Sequence, residues 1–586
     1  MENRVLELVE ERTFQYQESL PALPVPALEE SLSKYCESAM YPTQRNLTAF
    51  ETVLRSLNRP IHVISQIYEI LIKHHTDNTP TFTRYWEKDL GEAISPLDWE
   101  KAFILTHKMS LPCKAQETNY KILSRWEKLA VHKSGNKPLD MHQFRNLFNT
   151  CKIPGVTRDS IINYFKTESE GSCPTHLIVM CRGRIFSFEA VIDGQMLSPP
   201  EILRQFSYVQ NICQSQRDGI GLSALTSEER TRWALSREHL ISLDPKNLSH
   251  LERIQSSLFI VSLDEDSPHG TPEDYSQFFP ALNNTNSSSC RCKTNFGEMR
   301  SHNFSVCVFQ HAPFDAMVLV AMCDYIDQNV KACEGRWKGP MSVRDMPYPE
   351  ELVFTVDQKI LDDIALAKAQ YYTQASDLEV ANYAFTSFGK ALVKKKKLHP
   401  DTFVQLALQL AYYKLHGRPG CCYETATTRM FYHGRTETMR PCTMEAMTWC
   451  RSMLDPSSTV CQAAVLVCSS GYKFTGFDRH LLGLLLIAKE QGMAVPELFT
   501  DPAFTKSGGG GNFVLSTSLV GYTNVHGAVV PMIHDGYGFF YRIRDDRFVA
   551  TCTAWKSSPE TNADKLLRTV FENFQEMIQL MVNAQL

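Results

Sequence analysis

The chain has 586 residues, a formal net charge of -5 and a hydrophobic content of 43%, a composition typical of globular proteins. Since one hydrophobic core rarely serves a chain of this length, we expect two or more domains. The mildly acidic charge disfavours a nucleic-acid-binding protein, whose footprint is a basic patch. The 18 cysteines include no CxxC pair, and no signal peptide is recognised, which favours free thiols in a reducing compartment. No run of about 18 apolar residues occurs, so no membrane-spanning helix is expected.

The first half of the chain predicts helices that give way to a β-hairpin. Residues 12–35 begin with an extended segment rich in proline and lead into a helix at Glu29. Further along, Leu177–Cys181 and Ile185–Phe188 are apolar runs on either side of Arg182–Gly183–Arg184. Two apolar runs around a short glycine turn are typical of a hairpin.

The second half predicts helices and strands in alternation. Leu406–Leu415 and Leu481–Lys489 carry helix formers at helical spacing. Val514–Ser518, Gly527–Ile533 and Phe539–Ile543 are predicted strands separated by glycine turns. Helices and strands mixed in two halves predict an α/β architecture.

Phe278–Gln310 departs from this pattern because it contains the polar tract Asn283–Ser289. Such a composition cannot bury a core and predicts a loop. Ser305–Phe309, at the end of this segment, is apolar enough to supply a strand just before His311.

His311 is the one histidine among the 18 that has an aspartate, Asp315, four positions later. A carboxylate in that position can hold one imidazole nitrogen and leave the other as a general base. Far downstream, Ser516–Thr517–Ser518 offers hydroxyl donors of the kind that an oxyanion needs. An HxxxD motif alone is a weak signal, and it gains weight only from the other motifs that accompany it along the chain.

The chain resembles the carnitine/choline acyltransferases over about three quarters of its length. The resemblance implies an α/β fold of the CoA-dependent acyltransferase type, in which two similarly built domains enclose a tunnel. The matching blocks are Thr13–Tyr35, Pro138–Gly155, Leu225–Ala234, His311–Met317, Leu406–Arg440, Gly476–Leu484, Leu515–Ser518 and Asp535–Gly538.

By this resemblance, His311 would take the proton of the carnitine hydroxyl and later protonate the departing CoA thiolate. Asp315 would fix the histidine tautomer, and Ser518 would donate to the oxyanion. The alternatives are a satisfied core histidine for His311, a carboxylate at a helix start for Asp315 and a turn-forming residue for Ser518.

The resemblance also implies a carnitine site. Tyr423, Thr436 and Arg479 would bind the carboxylate, since the arginine fork can donate two hydrogen bonds to it, and Ser516 would contact carnitine. For Arg479, a structural ion pair with Asp478 is the alternative.

The acyl group would lie beside Gly527, whose alternative role is a β-bulge. In acetyl-specific members of the family a bulky residue fills the matching position, so Gly527 implies medium-chain acyl groups. Phe539 would form a wall for the trimethylammonium group. Lys473 and Asp478 would contact coenzyme A.

Three segments depart from the family pattern, and the first is Phe278–Gln310, where the family usually runs a strand into the catalytic histidine. Residues 40–126 have no recognised counterpart in the family, and Tyr85–Trp126 resembles the tail of a LINE-type retroelement polyprotein, which indicates an inserted exon or a gene-model error. Ser457–Thr475 occupies the place of a lysine-rich segment for the CoA phosphates but contains a single lysine, Lys473. One lysine cannot replace a cluster of charge-assisted contacts.

We therefore expect an N-terminal segment (1–39), an atypical insertion (40–126), a domain carrying the catalytic histidine (127–345) and a domain carrying the carnitine and oxyanion residues (346–586). The expected function is reversible transfer of medium-chain acyl groups between coenzyme A and L-carnitine. The alternative is a non-catalytic form that binds carnitine or a protein partner but not coenzyme A. A nucleic-acid binder derived from a retroelement is disfavoured by the charge.

Coenzyme A and carnitine would be substrates, so no cofactor or metal is expected, and neither is a nucleic-acid partner. We expect a monomer. The tripeptide Ala584–Gln585–Leu586 resembles a peroxisomal address in which Gln585 replaces the usual basic residue. With the family resemblance it predicts a peroxisomal location, with the cytoplasm as the alternative.

Overall fold

The structure is a computed structural model. It describes residues 11–24, 26–27, 30–32, 34–35, 103–108, 124–125, 127–264, 295–299, 304–309, 313–332, 337, 339–455, 476–520 and 526–583. Within these ranges, no helix has both the length and the apolar character needed to cross a membrane.

Two mixed β-sheets organise the described residues. The strands are β1 Phe103–Lys108, β2 Lys133–Ser134, β3 Lys137–Pro138, β4 Thr150–Ile153, β5 Ser160–Asn163, β6 His176–Cys181, β7 Arg184–Glu189, β8 Val191–Ile192, β9 Gln195–Met196, β10 Ile260–Asp264, β11 Asn295–Met299, β12 Phe304–Phe309, β13 Glu350–Glu351, β14 Leu378–Phe385, β15 Cys422–Thr427, β16 Thr436–Met439, β17 Leu515–Leu519, β18 His526–Ala528, β19 Tyr537–Ile543 and β20 Phe548–Trp555.

The α-helices are α1 Pro199–Ser215, α2 Arg230–Leu243, α3 Pro245–Ser256, α4 Ala316–Ala332, α5 Gln358–Asp377, α6 Lys390–Lys395, α7 Pro400–His416, α8 Met444–Leu454, α9 Asp478–Glu490, α10 Glu497–Thr500, α11 Pro502–Lys506 and α12 Ala563–Asn583. Short 3₁₀ turns occur at Gln17–Ser19, His142–Asn146, Glu168–Glu170, Leu222–Ser227 and Gly509–Gly511.

The first sheet has the strand order β13-β7-β6-β10-β11-β12-β1-β18, and the second has the order β14-β20-β19-β17-β15-β16. Each sheet has two adjacent parallel pairs (β6 with β10 and β10 with β11; β15 with β17 and β17 with β19), and its other pairs are antiparallel. We call the part built on each sheet the first and the second lobe. Two mixed sheets with associated helices confirm the predicted α/β class. The predicted domain boundaries themselves stay a prediction.

The predicted hairpin is present as β6 and β7, which pair from His176 to Glu189. Its two-residue turn places both Arg182 (φ 48) and Gly183 (φ 74) in the left-handed region. This is the turn geometry that matches the twist of an antiparallel pair, and glycine adopts it without steric cost.

Helix α7 contains the predicted segment Leu406–Leu415 and has clear boundaries. The His399 side chain accepts from the Thr402 N–H, Pro400 occupies the first turn, and Gly417 ends the helix in the left-handed conformation (φ 64). These are the signals that favour a helix start and stop. Ten consecutive residues of α7, Phe403–Tyr412, are buried in the second lobe, so its position is fixed by packing.

The first sheet contains strands from distant parts of the chain. Strand β1, the one described strand within the insertion predicted at 40–126, lies between β12 and β18, and Leu105 is paired with Gly527. Strand β12 confirms the strand predicted at Ser305–Phe309. Because β18 comes from the C-terminal half, the two lobes share a strand. They also share a core, since Phe540 of β19 packs in the same cluster as Phe314 of the first lobe.

Candidate active site

Asp315 lies immediately before α4 and is enclosed at the boundary between the lobes. Its Oδ1 accepts from Arg435 Nη2 at 2.9 Å and Nε at 3.2 Å, and both side chains are less than 10% exposed. The aspartate therefore stands at a helix start and also holds a guanidinium from the second lobe. His311 lies outside the described residues, so the predicted histidine–aspartate contact stays a prediction.

Gln143 connects the backbone of Asp315 to the second lobe through its side-chain amide. Its Oε1 accepts from the Asp315 N–H at 2.7 Å, and its Nε2 donates to the Gly434 carbonyl at 3.2 Å. Gln143 is 1% exposed. Sequence reasoning identified neither Gln143 nor Arg435, although Arg435 directly precedes the predicted carnitine residue Thr436.

The turn from Thr428 to Arg435 carries these contacts across the boundary. At Gly434 a Cβ atom would lie 1.8 Å from the Thr428 carbonyl oxygen, so no side chain fits there. His433, the preceding residue, has a φ of 50°. The glycine therefore permits the tight turn that brings Arg435 to Asp315.

Asp140 anchors the other end of this boundary. Its carboxylate accepts from Gln17 Nε2 at 2.6 Å and from the His433 N–H at 2.8 Å. The Arg429 guanidinium donates twice to the Asp140 carbonyl, at 2.6 and 2.8 Å. Burial raises the pKa of Asp140, and these hydrogen bonds oppose that effect. We call the set Gln17, Asp140, Gln143, Asp315, Arg429 and Arg435 the seam.

Two histidines stack across the seam. The rings of His142 and His433 have centroids 3.7 Å apart. Burial lowers the pKa of His142 to about 3 and that of His433 to about 4. Both rings are therefore neutral at physiological pH, since two adjacent charged imidazoles would repel each other.

Ser516 and Ser518 lie on the same face of β17. Between them, Thr517 points the other way, where its hydroxyl donates to the Tyr423 carbonyl at 2.8 Å and accepts from Gln405 Nε2 at 2.9 Å. Alternation along a strand places the two serines opposite Thr517. Ser516 is buried, Ser518 is half-buried, and Ser516 is paired in register with Tyr423 of β15.

Two of the predicted carboxylate-binding residues, Arg479 and Tyr423, meet beside this strand. Arg479, in the first turn of α9, donates to the Tyr423 hydroxyl over 3.3 Å, and its main-chain N–H donates to Glu437 Oε1 over 3.4 Å. Thr436, which is 8% exposed, directly precedes Glu437 in β16. We call Tyr423, Thr436, Glu437, Arg479 and Ser516 the carnitine cluster.

Glu437 adds an acid that sequence reasoning did not identify. Burial raises its pKa to about 7, and the neighbouring Arg479 opposes that rise. A carboxyl group that titrates near neutrality beside a candidate anion-binding arginine is a feature of functional sites.

Asp478 forms its ion pair with Arg440, not with Arg479. Both of its oxygens accept from Arg440, at 2.6 and 2.9 Å, and both side chains are largely buried. The Asp478 carboxylate therefore stabilises the start of α9 through Arg440. Its predicted contact with coenzyme A stays a prediction, and Lys473 lies outside the described residues.

The prediction for Phe539 is wrong. Phe539 is paired in register with Thr517 and is fully buried in the core of the second lobe. Its ring therefore lies on the α7 side of the sheet, away from Ser516 and Ser518. Gly527 is buried in β18, as an acyl-pocket position would be, but its role is a prediction.

The amino-acid sequence matches known proteins along nearly the whole chain. Residues 23–572 match the family described as choline/carnitine O-acyltransferase. The chain is 54% identical to the peroxisomal carnitine O-octanoyltransferase of Bos taurus over 99% of both chains, and 52% identical to that of Homo sapiens over the full length of both. It is 28% identical to the carnitine O-acetyltransferase of Homo sapiens over 97% of this chain and 94% of that protein. The chain belongs to the choline/carnitine O-acyltransferase family.

Proposed function

We propose that this protein transfers medium-chain acyl groups reversibly between coenzyme A and L-carnitine. The observation that carries the proposal is the meeting of Arg479 and Tyr423 beside the strand of Ser516 and Ser518. That arrangement can hold a substrate carboxylate next to hydroxyl donors. Full-length relatives at 51–54% identity that are named carnitine O-octanoyltransferases support the medium-chain substrate.

The chemistry needs one base and one oxyanion donor. His311 takes the proton of the carnitine hydroxyl as that oxygen bonds to the thioester carbonyl carbon. Ser518 donates to the tetrahedral oxyanion, an interaction whose loss typically costs about 10²–10³ in rate. When the intermediate collapses, the carbon–sulfur bond breaks and the histidine protonates the CoA thiolate. Both substrates bind together, so no covalent enzyme intermediate forms.

The carboxylate of carnitine binds Arg479, Tyr423 and Thr436, and Ser516 contacts the same molecule. Arg479 supplies the charge-assisted contact, and the two hydroxyls orient the carboxylate. Asp315 fixes the tautomer of His311, and Arg435 of the second lobe donates to Oδ1 of Asp315. The orientation of the base therefore depends on the position of the second lobe.

Coenzyme A is the substrate that this chain binds least well. The segment Ser457–Thr475 offers only Lys473 for the phosphates, with Asp478 as a further contact. Charge-assisted hydrogen bonds contribute about 1.5–3 kcal/mol each, so the loss of two weakens binding by roughly a hundred-fold or more. The apparent KM for acyl-CoA should be high, and a lysine-rich segment grafted here should lower it. Micromolar affinity for coenzyme A in calorimetry would contradict this point.

Substitution of the base tests the proposal. His311→Ala should abolish transfer from octanoyl-CoA to carnitine, because the variant lacks the proposed base. Carnitine affinity should persist, since the base acts on a proton and not on the carboxylate. Transfer rates within a few-fold of the parent in a folded variant would refute the assignment.

The cellular setting follows from the same relatives, which are named peroxisomal enzymes. We extend that location to this chain, with Ala584–Gln585–Leu586 as its address, and we propose that it acts as a monomer without nucleic acid, metal or cofactor. A fluorescent fusion with Leu586 deleted tests the address, and light scattering tests the oligomeric state. Retention in peroxisomes after the deletion would show that another signal is used.

A further inference from the structure

The first lobe contains a cavity that the acyl-transfer reaction does not use. It has a volume of about 580 Å³, with open solvent at its mouth included. It lies between β4, the β6–β7 hairpin, the turn Leu222–Ser227 and helices α2 and α3. Its walls are mainly apolar and include Met180, Ile185, Leu222, Trp233, Leu240 and Ile254.

Strand alternation separates this cavity from the candidate active site. Val179 and Phe186 point into the core that also contains Phe314 and Phe540, toward the second lobe. Met180 and Ile185, their neighbours in sequence, point to the opposite face of the same sheet and line the cavity. None of the seam or carnitine-cluster residues lines it.

The charges around the cavity are unbalanced. Lys152, which lines it and is 4% exposed, pairs with the buried Asp159 at 3.0 Å, and Arg230 contacts the same aspartate at 3.2 Å. Arg237 also lines the cavity but makes no hydrogen bond or ion pair with any other residue in the described part of the chain. Lys152 and Arg230 therefore share one buried carboxylate, and Arg237 is not paired with it.

Arg237 supplies a partly buried positive charge at the wall of the cavity. Burial lowers the pKa of Arg237. The exposed carboxylates of Glu238 and Glu252 attract its charge through Coulombic interactions but do not accept a hydrogen bond from it. A partly desolvated guanidinium favours a carboxylate partner, which can accept two parallel hydrogen bonds from its fork. The apolar walls favour an alkyl chain behind that carboxylate.

We propose that this cavity binds a free medium-chain fatty acid, with its carboxylate on Arg237 and its alkyl chain against Met180, Ile185 and Leu240. The site is separate from the acyl-transfer site, and its occupancy does not depend on the transfer reaction. It would let the enzyme sense the free acid that corresponds to its acyl substrates.

Calorimetry with octanoate on the full chain tests the proposal. Octanoate should bind the parent, and Arg237→Gln should weaken that binding roughly ten-fold or more because a charge-assisted contact is lost. Arg237→Lys should bind octanoate with an affinity between those of the parent and Arg237→Gln, because lysine keeps the charge but cannot donate two parallel hydrogen bonds. Arg232→Gln is the matched control, since Arg232 lies on the same helix but is exposed and paired with Glu228, and it should change nothing. 1-Octanol should bind more weakly than octanoate and should be insensitive to Arg237→Gln.

A second variant separates this cavity from the acyl-transfer site. Gly527→Met, which fills the proposed acyl pocket, should leave octanoate affinity intact, and Arg237→Gln should leave octanoyl transfer intact. Loss of octanoate binding in Gly527→Met with retention in Arg237→Gln would overturn the proposal, as would the absence of octanoate binding to the parent. Because binding is measured without carnitine or coenzyme A, failure of the transfer assay would not affect this result.

Discussion

The seam and the carnitine cluster are both built from enclosed polar residues, but the hydrogen bonds of Arg479 in the cluster are longer than the shortest ones of the seam. In the seam, Arg429 reaches the Asp140 carbonyl at 2.6 Å, Gln143 accepts from the Asp315 N–H at 2.7 Å, and Arg435 reaches Asp315 at 2.9 Å. In the carnitine cluster the corresponding distances are 3.3 Å from Arg479 to Tyr423 and 3.4 Å from the Arg479 N–H to Glu437.

The difference separates residues that hold the lobes from residues that can accept a ligand. Short, charge-assisted hydrogen bonds between enclosed groups are strong, and breaking one leaves a charge without its partner. Longer contacts are weaker and are readily exchanged for a substrate carboxylate. Seam variants should therefore change the free energy of unfolding, and cluster variants should change substrate kinetics.

The largest effect is expected in the seam. Arg435→Gln leaves the Asp315 carboxylate enclosed without its guanidinium, which typically costs about 3–5 kcal/mol. Urea denaturation should show this loss in the free energy of unfolding. Arg547→Gln, which removes an exposed pair with Asp546, should leave the free energy of unfolding nearly unchanged. Equal losses for the two variants would remove the distinction between seam and surface.

The acyl pocket should affect specificity. Gly527→Met excludes three or more methylenes at about 0.8 kcal/mol each, which shifts the ratio of octanoyl to acetyl transfer roughly fifty-fold or more toward acetyl. Gly527→Ala is the graded control and should shift the ratio less. The ratio of kcat/KM values for the two acyl-CoA substrates measures the effect, and an unchanged ratio in folded Gly527→Met would reject the pocket.

Arg479 should affect carnitine binding with little effect on stability. Arg479→Gln removes a charge-assisted contact, so the KM for carnitine should rise roughly ten- to a hundred-fold. Lys489→Gln, an exposed site on the same helix, should leave KM unchanged. Steady-state kinetics with octanoyl-CoA held constant gives the comparison. A large loss of unfolding free energy in Arg479→Gln would place Arg479 with the seam instead.

The smallest effect concerns pH. His142 has a folded pKa of about 3, lowered by burial, against about 6.5 in an unfolded chain. As the pH falls below 6.5, the unfolded chain takes up a proton that the folded protein excludes, so stability is lost down to about pH 3. From pH 6.5 to 5.5 the loss is on the order of 1 kcal/mol.

His142→Phe should therefore flatten the decline in unfolding free energy between pH 6.5 and 5.5. His534→Gln, at an exposed site, serves as the control. If His142→Phe and the parent decline with the same slope, the stacked histidines do not contribute to acid sensitivity.

Local patterns predicted the elements that local chemistry specifies. The β6–β7 hairpin follows from the Arg182–Gly183 turn, and α7 and α9 follow from helical spacing. The strand predicted at Gly527–Ile533 is shorter in the structure, where β18 ends at Ala528. Pro531 lacks a backbone donor, which limits pairing in that segment.

The seam could not be predicted, because it depends on contacts between residues far apart in sequence. Nothing near Gln143 indicates that its amide meets Asp315, 172 positions away. The prediction for Phe539 is wrong because β19 has adjacent aromatic residues, Phe539 and Phe540, on its two faces, so alternation along the strand does not show which side faces the serines. The resemblance to a known family, and not local pattern, predicts that Tyr423, Thr436 and Arg479 belong to one site.

The most direct test of the account is the product of the reaction itself. The purified chain is incubated with octanoyl-CoA and L-carnitine at increasing octanoyl-CoA concentrations, and octanoylcarnitine and free coenzyme A are quantified by mass spectrometry. We predict both products in equal amounts, with a high KM for octanoyl-CoA and no product in His311→Ala. Absence of octanoylcarnitine at saturating substrate, in a folded protein that still binds carnitine, would contradict the account and identify the chain as a non-catalytic carnitine-binding protein.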